Sequence, residues 1–164
     1  ITDAGTPVIS DPGNVLCKML IENGVEYTVV PGATAFVPAL LLSGMDASKF
    51  CFIGFLPEKK KDRAELLKTY KDLPSTLIFY SAPHDVMKDL ADLYSVLGNR
   101  KTAVCKEITK LHETVYRFNL ENPVIEDTRG EFVIVIEGGV TKEEKIVSDE
   151  DIIDAIFSKF CLGK

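Results

Sequence analysis

The chain has 164 residues, 46% of them hydrophobic and 27% charged, with apolar residues spread along its whole length. That suits one domain, or one domain and a piece of another, and excludes a low-hydropathy disordered segment. The formal net charge of −6 argues against non-specific nucleic-acid binding by the whole surface and leaves local basic faces to consider.

The first residues, Ile1 to Pro7, read as the end of a strand running into a tight loop, the pattern of a piece cut at its front. Asp11 to Asn23 carries Val15, Leu16, Met19 and Leu20 at helical spacing, with Asp11 placed to cap the helix at Pro12 and Gly24 as its stop. Tyr27 to Val30 predicts a short strand ended by Pro31-Gly32. Ala33 to Leu42 is apolar on all sides and predicts a buried helix with Pro38 near its first turn, ended by Gly44. The longest apolar run, Phe36 to Leu42, is too short to span a membrane.

Beyond Gly44 the rhythm changes. Phe50 to Phe55, Thr76 to Tyr80 and Thr102 to Ile108 predict strands, separated by helices over Asp62 to Leu73 and Val86 to Leu97. The alternation predicts an α/β fold whose mixed, mostly parallel sheet is flanked by helices. Thr114 to Phe118 and Glu131 to Ile136 follow without a full helix between them and predict antiparallel additions. Asp149 to Phe160 predicts a closing helix. Pro31-Gly32 is the natural boundary. Residues 1–31 read as the remnant of a first α/β domain, residues 32–139 as a second, and residues 140–164 as a helical tail.

The four cysteines, Cys17, Cys51, Cys105 and Cys161, form no C-x-x-C pair, and no metal-ligand spacing is present, so no metal is expected. No basic stretch followed by an apolar one opens the sequence, which reads as a cytoplasmic protein with no membrane partner. The run Lys59, Lys60, Lys61, Arg63 is the one dense basic cluster; it reads first as a solvated helix start and second as a contact for an RNA backbone.

Several loops carry chemistry-bearing residues. Asp3-Ala4-Gly5-Thr6-Pro7, followed by Ser10-Asp11-Pro12-Gly13, places a carboxylate and glycine turns where α/β sheets bind ligands. Pro31-Gly32-Ala33-Thr34-Ala35 puts small residues at a helix start, where backbone N–H groups face outward. Tyr80-Ser81-Ala82-Pro83-His84 ends a strand with a histidine. Lys106 to Glu113 is a polar knot between apolar strands, and Arg129-Gly130-Glu131 precedes the last of them. Each motif is also compatible with a plain turn or a solvated hairpin.

Taken in order, Asp-Ala-Gly-Thr-Pro, Ser-Asp-Pro-Gly, Pro-Gly-Ala-Thr-Ala, Gly54-Phe55-Leu56-Pro57, Thr109-Lys110-Leu111-His112-Glu113 and Arg129-Gly130-Glu131 resemble the tetrapyrrole methylase superfamily. The resemblance is strongest to its branch of small-subunit ribosomal RNA methyltransferases that act on a cytidine 2′-hydroxyl, and it extends to about Gly139. It implies a two-domain fold that binds S-adenosylmethionine between its domains, without a metal, usually as a homodimer. Asp3, Ala4, Gly5 and Thr6 would line the cofactor from the first domain, and Pro31, Gly32, Ala33, Thr34 and Ala35 from the second. The substrate would be small-subunit ribosomal RNA, free or in the 30S subunit. The family's front segment with its Gly-rich loop is missing from the sequence, which implies that this fragment is inactive alone.

Where the family commonly shows Tyr-Glu-(Ser or Ala)-Pro-His-Arg, this chain has Tyr80-Ser81-Ala82-Pro83-His84-Asp85. A 2′-hydroxyl must be aligned with the methyl donor and lose its proton. Glu107, Lys110, Glu113 and His84 are the expected catalytic groups, with Glu113 or Glu107 accepting the proton and Lys110 holding a phosphate or the base. Two other readings remain open at this point: a tetrapyrrole C-methyltransferase of the same fold, and a non-catalytic dimerising domain.

Overall fold

The computed structural model describes residues 5–10 and 12–139. Asp3, Ala4, Asp11, Cys161, the expected helix at Asp149 to Phe160 and the tail 140–164 lie outside the described residues.

Strand identity follows from alternation in which both faces are apolar. In β2 (Thr76–Ser81), Leu77 and Phe79 point into one core cluster and Ile78 into the other. The same split separates Val104 from Ala103 and Cys105 in β3 (Lys101–Lys106). It also separates Phe132, Ile134 and Ile136 from Val133 and Val135 in β5 (Phe132–Ile136). A sheet apolar on both faces needs a helix layer on each. α3 (Lys60–Tyr70) and α4 (Val86–Leu97) cover the first face, the latter burying Val86, Leu90, Leu93 and Leu97. The short α2 (Phe36–Ser43) covers the second with Ala39 and Leu40. Gly44, in the left-handed region at φ 74°, ends α2 as expected.

The sheet has five strands in the order β1-β2-β5-β3-β4, with β1 at Phe50–Phe55 and β4 at Thr114–Asn119. β1, β2 and β3 run in one direction, as the alternating strands and helices predict. β5 inserts between β2 and β3, however, so only β1 and β2 pair in parallel, and the other three pairings are antiparallel. Register brings Phe55 beside Tyr80, Ser81 beside Phe132, and Lys106 beside both Phe132 and Thr114. The carboxyl ends of β1, β2 and β3 therefore share one edge of the sheet with the amino ends of β4 and β5.

The segment before Gly32 behaves differently. α1 (Asn14–Glu22) begins after Gly13, not at Pro12, and none of its residues is buried. Val15, Leu16, Met19 and Ile21 are all exposed. Tyr27 to Val30 is not a strand, because no neighbouring strand among the described residues takes its hydrogen bonds; Val29 and Val30 are exposed.

Candidate functional site

Two of the expected cofactor loops are joined. The Thr6 N–H donates to the Ala33 carbonyl at 2.9 Å, and the Thr6 hydroxyl donates to the Gly32 carbonyl at 2.9 Å. The approach requires both glycines. A Cβ on Gly5, which sits at φ +72°, would lie 2.7 Å from the Ala33 oxygen, and one on Gly32 would crowd Gly5 and Thr6 at 3.2 Å. Pro31 and Ala33 are exposed beside this contact, while Thr34 and Ala35 lead into α2. A third motif closes in at the end of β1, where Gly54 occupies a bulge at φ +80° and a Cβ there would meet the Ser10 hydroxyl at 3.3 Å.

Aromatic rings floor this corner. Phe36 stacks on Phe52 at 4.6 Å, and Tyr80 meets Phe52 at 4.9 Å and Phe55 at 5.5 Å edge to face. Burial pushes the Tyr80 hydroxyl above its ordinary pKa, against the opposing pull of the Phe36 and Ala35 backbone amides.

The polar knot lies further along the same edge. Glu107 and Thr109 leave β3 in the left-handed region, at φ 50° and 66°. Glu107 Oε1 accepts from the Glu131 backbone N–H at 2.8 Å and from Lys110 Nζ at 3.1 Å. Lys110 Nζ also reaches Glu131 Oε2 at 2.8 Å. Gly130 makes room for this, since a Cβ there would lie 2.7 Å from Glu107 Cγ and Oε1. The Glu131 amide, then the Lys110 ammonium, hold the Glu107 carboxyl below its ordinary pKa, and Glu131 and Glu107 together hold Lys110 above its own. Glu113 stands apart from that lattice and, among the described residues, takes only the Thr109 backbone N–H, at 2.7 Å on Oε2. His84 is placed off the end of β2 with 81% of its side chain exposed, 3.3 Å from Asp85. It shares the edge with the knot, but β5 lies between their strands.

Two clusters were not legible as sites. Lys106, 8% exposed, pairs with Asp127 at 2.6 Å. Arg129 reaches the same carboxylate at 2.9 Å, and hydrogen bonds from Arg129 and Lys106 hold it well below the usual carboxylate range. Arg63 belongs to no basic surface. Its side chain is 2% exposed, pairs with Asp89, lies 2.7 Å from Asp92 and donates to the Pro57 carbonyl at 3.3 Å. Its Nε–H is not aligned for a hydrogen bond with Asp92. Asp89 also takes the Ser81 hydroxyl. The signal was an acid on the apolar stripe of α4, three residues after Val86. Lys59, Lys60 and Lys61 remain exposed.

Among the described residues no group of three or more His, Cys, Asp or Glu side chains could hold a metal. No helix there is long and apolar enough to cross a membrane.

A family model described as Tetrapyrrole (Corrin/Porphyrin) Methylases matches residues 1–124. The chain is 43% identical over 148 residues to a ribosomal RNA small subunit methyltransferase I from Halalkalibacterium halodurans, covering 88% of this chain and 51% of that protein. The chain spans about half the length of the curated relatives it matches. Its fold is similar to the crystal structure of the methyltransferase CobJ, with TM-score 0.62, 20% identity, and coverage of 85% of this chain and 64% of that one. It is also similar to a uroporphyrin-III C-methyl transferase from Thermus thermophilus complexed with S-adenyl homocysteine. There the TM-score is 0.52 and the identity 20%, with 80% of this chain and 62% of that one covered.

Proposed function

The chain belongs to the tetrapyrrole methylase family, and on that premise we propose that it is part of an S-adenosylmethionine-dependent methyltransferase that methylates a cytidine 2′-hydroxyl in small-subunit ribosomal RNA. The observation that carries the reading is the joining of the Gly5-Thr6 loop to the Gly32-Ala33 turn on the edge that also bears the Glu107–Lys110–Glu131 knot. The names of the curated relatives supply the RNA substrate class. The exposed apolar side chains of α1 and of Val29 and Val30 support a domain boundary at Pro31-Gly32. A homodimer, a cytoplasmic setting and the 30S subunit as partner come with the family resemblance.

The donor set fits an adenosyl ligand: bare backbone at Gly5, Gly32 and Ala33, small side chains at Thr34 and Ala35, and an aromatic floor. S-adenosylmethionine supplies the methyl group when bound. The remaining work falls to this chain. Glu107 takes both the Glu131 amide and the Lys110 ammonium on Oε1, and the lowered pKa these contacts produce makes it a weak base. Glu113 takes one backbone N–H and, unlike Glu107, is tied to no cation among the described residues, and it is the proposed acceptor of the hydroxyl proton. Lys110 is held as an ammonium beside it, and His84 stands at the far end of the edge.

The test is calorimetric binding of S-adenosylhomocysteine by this chain and by a version extended at its front with the family's Gly-rich segment. Binding by the extended version, with methyl transfer that makes one ribosomal RNA linkage resistant to alkali, is expected. Absence of binding by both versions overturns the methyltransferase reading, and transfer to a base atom instead of the 2′-oxygen overturns the assigned position.

A further inference from the structure

The β3–β4 loop is built far more firmly than the joining of two antiparallel strands requires. Two residues other than glycine sit in the left-handed region, and one of them, Thr109, is β-branched. A carboxylate is drawn back onto the backbone just ahead of β5, a glycine is spent on making room for it, and a lysine ties two carboxylates together. Glu113 fixes the Thr109 N–H, and the Thr114 hydroxyl donates to the His112 carbonyl at 3.3 Å. Strain of this kind persists where the surroundings over-determine it and gathers at ligand contacts.

What this scaffold holds out is Leu111, 93% exposed, with exposed His112 beside it. An exposed leucine alone needs no explanation. Here the backbone beneath it is already ordered, so little freedom remains to be lost on binding. The charge of Lys110 is met by Glu107 and Glu131, so the tip presents an aliphatic face and an imidazole ring in place of an unpaired cation. That surface suits the flat face of a base better than a phosphate. Bases inside a duplex have their faces covered, which restricts the ligand to single strands, loops or bulges.

We infer that the Leu111–His112 tip is a platform on which one unstacked nucleobase of a single-stranded RNA rests, close to the nucleotide being modified. The inference rests on the proposed ribosomal RNA substrate and names the part of the chain that selects an unpaired strand. Glu107 and Gly130 act as positioning residues for the tip, not as groups that touch the RNA.

The experiment is fluorescence anisotropy of a short labelled single-stranded RNA titrated with this chain, alongside Leu111→Ser and Gly130→Ala. Loss of the apolar contact that one leucine makes with a base face weakens binding about tenfold, and both substitutions are expected to do so. Affinity for a duplex of the same sequence should stay unchanged, as should the far-ultraviolet circular dichroism of Leu111→Ser. Equal single-strand affinity for Leu111→Ser and the parent chain overturns the inference, as does a chain that binds no single-stranded RNA. A change in sedimentation in place of a change in affinity also overturns it and makes the tip a contact between copies. Any of these failures, with cofactor binding and methyl transfer intact in the extended version, removes the platform and leaves the methyltransferase reading standing.

Discussion

Replacing Asp89 by Ala separates the parts of the buried cluster behind the β2 terminus. Asp89 accepts from both Arg63 and Ser81, and its side chain is 5% exposed. Without it the guanidinium of Arg63 keeps only Asp92, 22% exposed, and the Pro57 carbonyl. The Ser81 hydroxyl is left with the Ala82 carbonyl at 3.5 Å. Breaking a buried pair on one side costs about 3–5 kcal/mol, because the remaining charge stays out of water. Each kcal/mol moves Tm by roughly 2–4 °C in a domain of this size, so Asp89→Ala should lower it by about 10 °C. Removing both charges with Arg63→Met and Asp89→Leu should recover most of that loss. The assay is thermal unfolding followed by circular dichroism for the two singles and the double. A shift under about 3 °C for Asp89→Ala, or a double variant as unstable as the sum of the singles, would refute the account of Arg63 as a buried, charge-dependent clamp.

Gly5→Ala forces a side chain to φ +72° and 2.7 Å from the Ala33 oxygen, which costs about 1–2 kcal/mol in backbone strain alone; calorimetry on the extended version should show weakened S-adenosylhomocysteine binding, and unchanged binding counts against a joined cofactor rim. In the same version Glu113→Gln should lower methyl transfer by about 10²–10⁴-fold, the usual worth of a positioned base. Glu107→Gln should act mainly by loosening the loop, so an order of losses with Glu107 far ahead would reverse the two roles. The Glu107 and Asp127 carboxyls are both held below their ordinary pKa values, the first by the Glu131 amide and the second by Arg129. Their contribution to stability is therefore present above the unfolded values near about pH 4 and is lost as pH falls through the lower folded values. Hydrogen exchange of the Glu131 amide should stay protected down to about pH 4 and open below it; opening already above about pH 5 would contradict that sign.

Local pattern carried most of the elements. The stripe Val86, Leu90, Leu93, Leu97 gave α4 its limits, and the two-faced apolar runs gave β2 and β5 theirs. Strand order was not legible, because a run that is apolar on both faces fits any interior position, and nothing in Phe132–Ile136 names its neighbours. Tyr27 to Val30 has strand composition but lacks a partner strand among the described residues, and composition cannot supply one. At the site, the loops were visible one at a time. Their joining depends on contacts across long separations, such as Thr6 with Ala33 and Glu107 with Glu131. Arg63 was misplaced for a related reason: its neighbours in sequence are solvated lysines, while the acids that hold it come from the next helix.

β5 follows the other four strands in the chain yet lies at the centre of the sheet. β1 pairs with β2, and β3 pairs with β4, before residue 120 of the chain; each pair is a two-stranded ribbon with one apolar edge. The edges at β2 and β3 meet only through β5, with five paired positions on either side. Phe132 to Ile136 therefore act as a keystone: both core clusters draw residues from that strand, and a two-stranded ribbon on either side of it is at best marginally stable alone. A chain truncated ahead of Phe132 would leave the β2 and β3 edges unpaired, two sticky edges where the full sheet is unbroken.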